Sequence, residues 1–436
     1  MSSIPRDAAT PHALDLSKRD LTLDLARVFC VLLVVVIHLL EVGVGVSPSG
    51  AITITRPLEH QGWFNGVTWV FQIMPLFFVV GGFAGITAWR SLQRRGGTAA
   101  DFVRNRVLRL AQPALPLFVF YVVALGIATA VGAPPALVRG VAIGAGSPLW
   151  FIAAYTVCQA VLPWMARWHE RNRWAPVLVL LGAAIAVDVI RFGFLDPYGH
   201  SGNIAGLAGM LFVWPLIQQF GFWYADGWFD RRRWWQLVLL GLGAWATLFP
   251  MVFLGRYSPD MLTNLNPPTL PLVALGLSQA CALRLLKPAL TRLMRTRGAK
   301  AVVFLAGTRL MTIYLWHLPI IIALAGIGLL IPGATPPPGS AVWWWTRIPV
   351  YLLVLGLLFL LSLLVGRWEA PREVGPTPPI AVVAVAAVLT FLPTFLEIEL
   401  FLSLPLAIFG AISFGIAILL LGRWPAHGRA DAAAVG

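Results

Sequence analysis

Long apolar runs separated by short polar connections dominate the chain. Twelve such runs lie at about 22–45, 67–89, 113–132, 148–166, 175–194, 204–224, 235–255, 268–286, 302–331, 342–366, 378–396 and 400–421. A helix needs about 20 mainly apolar residues to cross the hydrocarbon core. The pattern therefore predicts an all-α, polytopic integral membrane protein with about 12 transmembrane helices. The Pro-rich stretches at 332–338 and 371–379 read as loops. The second separates a ten-helix block from a terminal two-helix hairpin. This divides the chain into an N-terminal tail (1–20), a membrane domain (21–366), and a C-terminal hairpin with a short tail (367–436).

Charge gives the runs a direction. Alternate connections are basic: Lys18 and Arg19; then Arg90, Arg94, Arg95, Arg104, Arg106 and Arg109; later Arg167, Arg171 and Arg173, and Arg231, Arg232 and Arg233. Arg284, Lys287, Arg292, Arg295, Arg297 and Lys300 follow, and finally Arg367 and Arg372. The opposite connections hold few cations. Under the positive-inside rule both termini lie in the cytoplasm of a multi-pass plasma (inner) membrane protein. The first run lacks an evident cleavage site and reads as a retained helix.

Composition narrows the class further. Hydrophobic residues make up 58% of the 436 and charged residues 11%, against about 45–50% and about 25% in soluble domains. A disordered chain and a soluble enzyme of ordinary composition are both excluded. The net charge of +14 falls in clusters between apolar runs, which marks topology and not nucleic-acid binding. Cys30, Cys158 and Cys281 fit neither a disulfide framework nor a metal site. No metal, ATP or dinucleotide motif is present. No internal repeat is visible, which weakens the inverted-repeat transporter architectures.

Ionisable residues inside spanning segments are costly and point to function. The first run carries Asp24, Arg27, His38 and Glu41. Arg27 and His38 are eleven residues apart, about 20° past three helical turns, so they share a face roughly 16 Å apart along the axis. Glu41 is one turn beyond His38 and within reach of its ring. The alternative for Arg27 is a snorkelling side chain paired with Asp24; for His38 it is packing.

LDLARVFCVLLVVVIH (23–38) resembles the first helix of the acyltransferase 3 family, which carries an Arg, ten residues and a His. MPLFFVVGGFAGITAWRSLQRRG (74–96) resembles its second helix, and FVRNRVLRLAQPALP (102–116) its cytoplasmic Arg-x-x-Arg element at Arg106 and Arg109. PLWFIAAY (148–155) and TIYLWHLPI (312–320) match two further stretches. The resemblance covers about 20–366, and the terminal hairpin is additional to the family's usual ten helices.

It implies transfer of an acyl group from cytoplasmic acyl-CoA to a hydroxyl of a glycan, lipid or small-molecule acceptor. Acyl-CoA is then a donor substrate, with no permanently bound cofactor and no nucleic-acid partner. His38 is expected as general base or transient acyl carrier, with Arg27 at the donor head or the oxyanion. Glu41 as the group orienting His38 is an inference from spacing alone. Arg104, Arg106 and Arg109 suit the donor's phosphates, although topology alone accounts for basic loops. Trp150, Tyr155, Tyr314 and His317 are candidates for the cavity wall, with an interfacial aromatic belt as the other reading of the first two. Asp188 with Arg191 reads as a structural pair, Gly81, Gly82 and Gly85 as a packing face, and Glu397 and Glu399 as solvated. The competing functions are a multi-helix transporter or flippase, supported by helix count and buried charge, and a non-catalytic envelope-assembly partner.

Overall fold

The computed structural model describes residues 20–47, 50, 52–195, 204–369 and 375–422. Lys18, Arg19, Arg372 and the tail from Arg423 lie outside the described residues. Seventeen α-helices are formed among those described: α1 (Leu21–Glu41), α2 (Phe64–Phe71), α3 (Met74–Arg94), α4 (Ala99–Ala130), α5 (Pro135–Gly146), α6 (Trp150–Arg171), α7 (Ala175–Ile190), α8 (Ile204–Leu207), α9 (Val213–Ala225), α10 (Trp234–Ala246), α11 (Leu248–Phe253), α12 (Leu270–Leu293), α13 (Arg297–Gly307), α14 (Leu310–Leu330), α15 (Ala341–Val365), α16 (Ile380–Leu400) and α17 (Leu404–Gly422). A small hairpin, β1 (Gly43–Val46) antiparallel to β2 (Ile52–Thr55), follows α1. Its alternating Gly-Val and Ile-Thr residues suit a pleated pair.

Eleven stretches among the described residues are long and apolar enough to cross a membrane. The remaining apolar run, 204–224, is divided into short turns and the 13-residue α9. Almost all of α9 is buried. Gly206 and Gly209, just before it, lie against Arg191, Pro267 and Pro268, whereas Asp226, just after it, bonds to Arg90 and His169. This run therefore still connects the two ends of the bundle, but as an internal helix with protein on all sides.

Several crossings are broken, and each break is satisfied internally. Pro75, in the first turn of α3, has no N–H. Between α2 and α3 the Gln72 side chain accepts from Met74 N at 3.2 Å and donates to Met261 O at 3.2 Å, while Gln279 donates to Gln72 O at 2.7 Å. Pro148 separates α5 from α6. There Tyr121 donates to Ala145 O at 2.8 Å and Tyr314 to Pro148 O at 2.6 Å. A bilayer offers no such partners, so breaks survive only where protein supplies them.

The terminal hairpin α16–α17 is part of the bundle, packed along α4 and α6. Gly410 of α17 sits on the ring of Phe118 in α4. Buried Arg104 donates from Nε to Leu421 O at 2.9 Å and from Nη1 to Gly375 O at 2.7 Å. Expected as a donor-binding residue, Arg104 instead clamps the hairpin, because its guanidinium reaches the end of α17 and Gly375. Glu397, expected in solvent, is 4% exposed. It lies in the last turn of α16 against Gly146, where a side chain on the glycine would collide with it.

A polar knot ties α3, α6 and α9 together at the end holding the basic loops. His169 bridges Gln219 Oε1 (3.1 Å) and Asp226 Oδ2 (2.9 Å). Arg90 donates to Asp226 at 2.8 Å and to Glu170 at 3.2 Å. Burial alone would raise the Asp226 carboxyl, but bonds from His169 and Arg90 overcome it and hold the group at about 2.

Two predictions follow from this packing. Arg104→Ala leaves the buried Leu421 carbonyl without its side-chain partner, a loss of about 1–3 kcal/mol, and lowers the melting temperature of the solubilised protein; the exposed control Arg95→Ala does not. An unfolded aspartate titrates near pH 3.9, above the folded value of Asp226. Its stabilisation is therefore complete above about pH 4 and is lost as the pH falls towards about 2. Melting curves across that window should fall less steeply in Asp226→Asn than in wild type.

Candidate active site

The first helix is held on several sides, by α3, α12, α13, α14 and α15. Cys30 Sγ approaches Ile73 O, and Tyr351 of α15 donates to Leu32 O at 3.3 Å. This enclosure turns the Arg27–His38 face inward. His38 meets His317 of α14: Nε2 of His317 lies 3.2 Å from Nδ1 of His38, and the ring centroids are 4.9 Å apart.

The hydrogen-bond partners assign the tautomers. His317 Nδ1 is 2.6 Å from Tyr314 O, a carbonyl that only accepts. The proton therefore sits on Nδ1 of His317, and its Nε2 is an acceptor. His38 Nδ1 faces that acceptor and Val34 O at 3.0 Å. It must carry a proton as well, which leaves Nε2 of His38 as the basic nitrogen.

Glu41 does not take the orienting role expected from its spacing: no hydrogen bond joins it to His38 among the described residues. The Nδ1 position is already filled by Val34 and His317. Glu41 instead acts electrostatically on Arg56 and Asp260 in the neighbouring loops.

Aromatic rings continue from the histidines towards Arg106. Tyr314 lies 5.9 Å from His317 and 4.8 Å from Phe151, ring centroid to centroid. Phe151 stacks on Tyr155 at 5.3 Å. Tyr155 and Arg27 both act electrostatically on Arg106, as does Arg109. Arg106 also lies over the Phe102 ring at 5.1 Å. Four expected residues, His38, His317, Tyr314 and Tyr155, are thus joined by ring contacts through Phe151, and the charges of Arg27 and Arg109 act on Arg106. Trp150 is 6% exposed and stacks on Trp214. It is core and not interfacial belt.

Over residues 20–367 the chain matches the family described as an acyltransferase domain. It belongs to the acyltransferase 3 family. The protein is a membrane O-acyltransferase. No curated protein and no solved structure gives a significant match.

In this acyltransferase the glycine face of α3 serves close packing. A side chain at Gly82 would strike the Gln218 carbonyl of α9, and one at Gly85 would strike Leu162. One at Gly81 would come within 3.2 Å of the Tyr155 ring. Asp188 accepts from Tyr257 Oη (2.9 Å) and Leu270 N (3.1 Å), a structural role near the start of α12. Trp345 is exposed, whereas Trp343, two residues before it on α15, is buried.

Sequence reasoning missed Glu369, which lies beyond α15. Its carboxylate accepts from Met311 N (2.9 Å), Thr312 N (3.1 Å) and Thr312 Oγ1 (2.8 Å), capping the first turn of α14. Burial raises this carboxyl, while those bonds and the charge of Arg109 oppose the rise. The available signal was an acid just after an apolar run, which does not say which helix it will cap.

The α3–α9 contact at Gly82 has no spare room. Gly82→Val should prevent that contact and sharply reduce the yield of monodisperse protein. The partly exposed Ala84, also on α3, should tolerate Val with little change.

Proposed function

We propose that this acyltransferase takes its acyl group from cytoplasmic acyl-CoA and delivers it to an acceptor hydroxyl at His38. The observation that carries this reading is the His38–His317 pair, whose hydrogen bonds engage Nδ1 of His38 and assign the base role to Nε2. Nε2 takes the proton of the acceptor hydroxyl. The oxygen then attacks the thioester carbonyl, the carbon–sulfur bond breaks, and CoA leaves as the thiolate to be reprotonated. His317 acts as a positioning residue: its Nε2 accepts a hydrogen bond from Nδ1–H of His38, which keeps that proton and becomes the imidazolium during transfer.

Arg106 and Arg109 supply guanidinium groups for the donor's phosphates on the side that the positive-inside rule assigns to the cytoplasm. Arg27, on the His38 face of α1 and with its charge acting on Arg106, is suited to the donor's polar atoms or the oxyanion. The roughly 16 Å along α1 from Arg27 to His38 means the acyl thioester is carried into the membrane before transfer. Acceptors reached there include a glycan, a lipid or a small metabolite of the cell envelope, and an acetyl group is the simplest cargo.

The test is CoA release from acetyl-CoA by purified protein in nanodiscs, supplied with host-envelope extract. His38→Ala should abolish release. His317→Ala should lower kcat about 100-fold and shift the pH profile, with KM for acetyl-CoA nearly unchanged. Arg106→Ala should instead raise KM. Full CoA release by His38→Ala would remove His38 from the chemistry. Movement of an envelope metabolite into proteoliposomes without CoA release would replace acyl transfer by transport.

A further inference from the structure

The polar knot at the basic end of α3, α6 and α9 forms the floor of an open bay of about 500 Å³. Four arginines line it: Arg90, Arg171, Arg173 and Arg231. The acids in the bay are already engaged. Asp226 is held by His169 and Arg90, and Glu170 by Arg90. Asn172 uses its side-chain oxygen on the N–H groups of Trp174 and Ala175. Arg231 donates one Nη to the Asp226 carbonyl. Four guanidinium groups thus stand against two carboxylates, both of them bonded to Arg90, and Arg171 and Arg173 are exposed at the rim.

The floor is rigid. His169 is 2% exposed and is gripped at both ring nitrogens. A rim of guanidinium forks over such a floor matches phosphate geometry. The bay opens where α6 ends and α7 begins, two crossing helices, so it lies at headgroup level. Trp174 in its wall is 46% exposed, the usual placement of an interfacial tryptophan.

We propose that this bay is a phosphate-binding site, separate from Arg106 and Arg109, and that its phosphate is the headgroup of an anionic phospholipid or a soluble phosphate of the cytoplasm. Bound there, the anion joins the ends of α6 and α7 to the α9–α10 turn. The proposal does not draw on acyl transfer and stands or falls separately from it.

The experiment uses the full chain in phosphatidylcholine nanodiscs. One arm adds phosphatidylglycerol at low mole fraction and counts retained lipid by native mass spectrometry. The other adds pyrophosphate without anionic lipid. The variant R171Q/R173Q changes two exposed rim residues. Its control, R94Q/R95Q, removes two exposed charges at the end of α3, outside the bay. Phosphatidylglycerol retention reduced about tenfold in R171Q/R173Q alone supports the site with a lipid headgroup in it. The same variant pattern for pyrophosphate supports the site with a soluble ligand. Equal losses in both double variants would reduce the bay to general positive-inside charge and overturn the proposal. So would no retention of either probe by wild type.

Discussion

A polar group inside this bundle has only other protein groups to bond with, because lipid offers none. That constraint organises the molecule from the loops to the site. At the α5–α6 break Tyr121 donates to the Ala145 carbonyl, and Tyr314 adds a second donor to the Pro148 carbonyl beside Phe151 N. The start of α14 leaves N–H groups that Glu369 must satisfy. Tyr314, by bonding to Pro148, is fixed at the point where its ring lies between Phe151 and His317. A structural requirement therefore holds the second histidine in place. Chemistry and folding draw on the same bonds.

Close helix approach is the second requirement, and it decides which rings face the site. Gly82 lets α9 come against α3 at backbone distance, and Gly221 on α9 fits against Val79 and Phe83 in the same way. Lipid-soluble chains gain little by hiding from lipid, so tight van der Waals contact must hold such helices together. The same seam places Trp214 on Phe78 at 4.3 Å and sets Tyr155 over Gly81. Buried aromatic stacking continues from the seam to the wall of the candidate site.

The arginines of α4 show how similar residues reach different ends. Arg104 is buried on the hairpin side and bonds to carbonyls at the end of α17 and beyond α15. Arg106, two residues on, turns about 200° away around the helix and faces Arg27 and Tyr155. Arg109 stays exposed at the rim, with its charge acting on Glu369. A helix shares its residues among three neighbours, so a basic cluster in sequence is not one site in space.

Hydrophobic periodicity and the distribution of arginines were enough to identify a helical membrane protein, because spanning length and loop charge are local properties of the chain. Arg27 and His38 were legible for the same reason: helical geometry fixes their common face without any partner. Their family resemblance added the chemistry. The His38–His317 bond was not legible, since 279 residues separate the partners and only the packing of α14 on α1 joins them. Spacing favoured Glu41 as the partner of His38, but a neighbour on one helix has no advantage once another helix fills the same hydrogen-bonding position. The burial of Glu397, the clamp at Arg104 and the cap at Glu369 are likewise tertiary. Each depends on which distant backbone atoms lack a partner, and that is decided only when the helices come together.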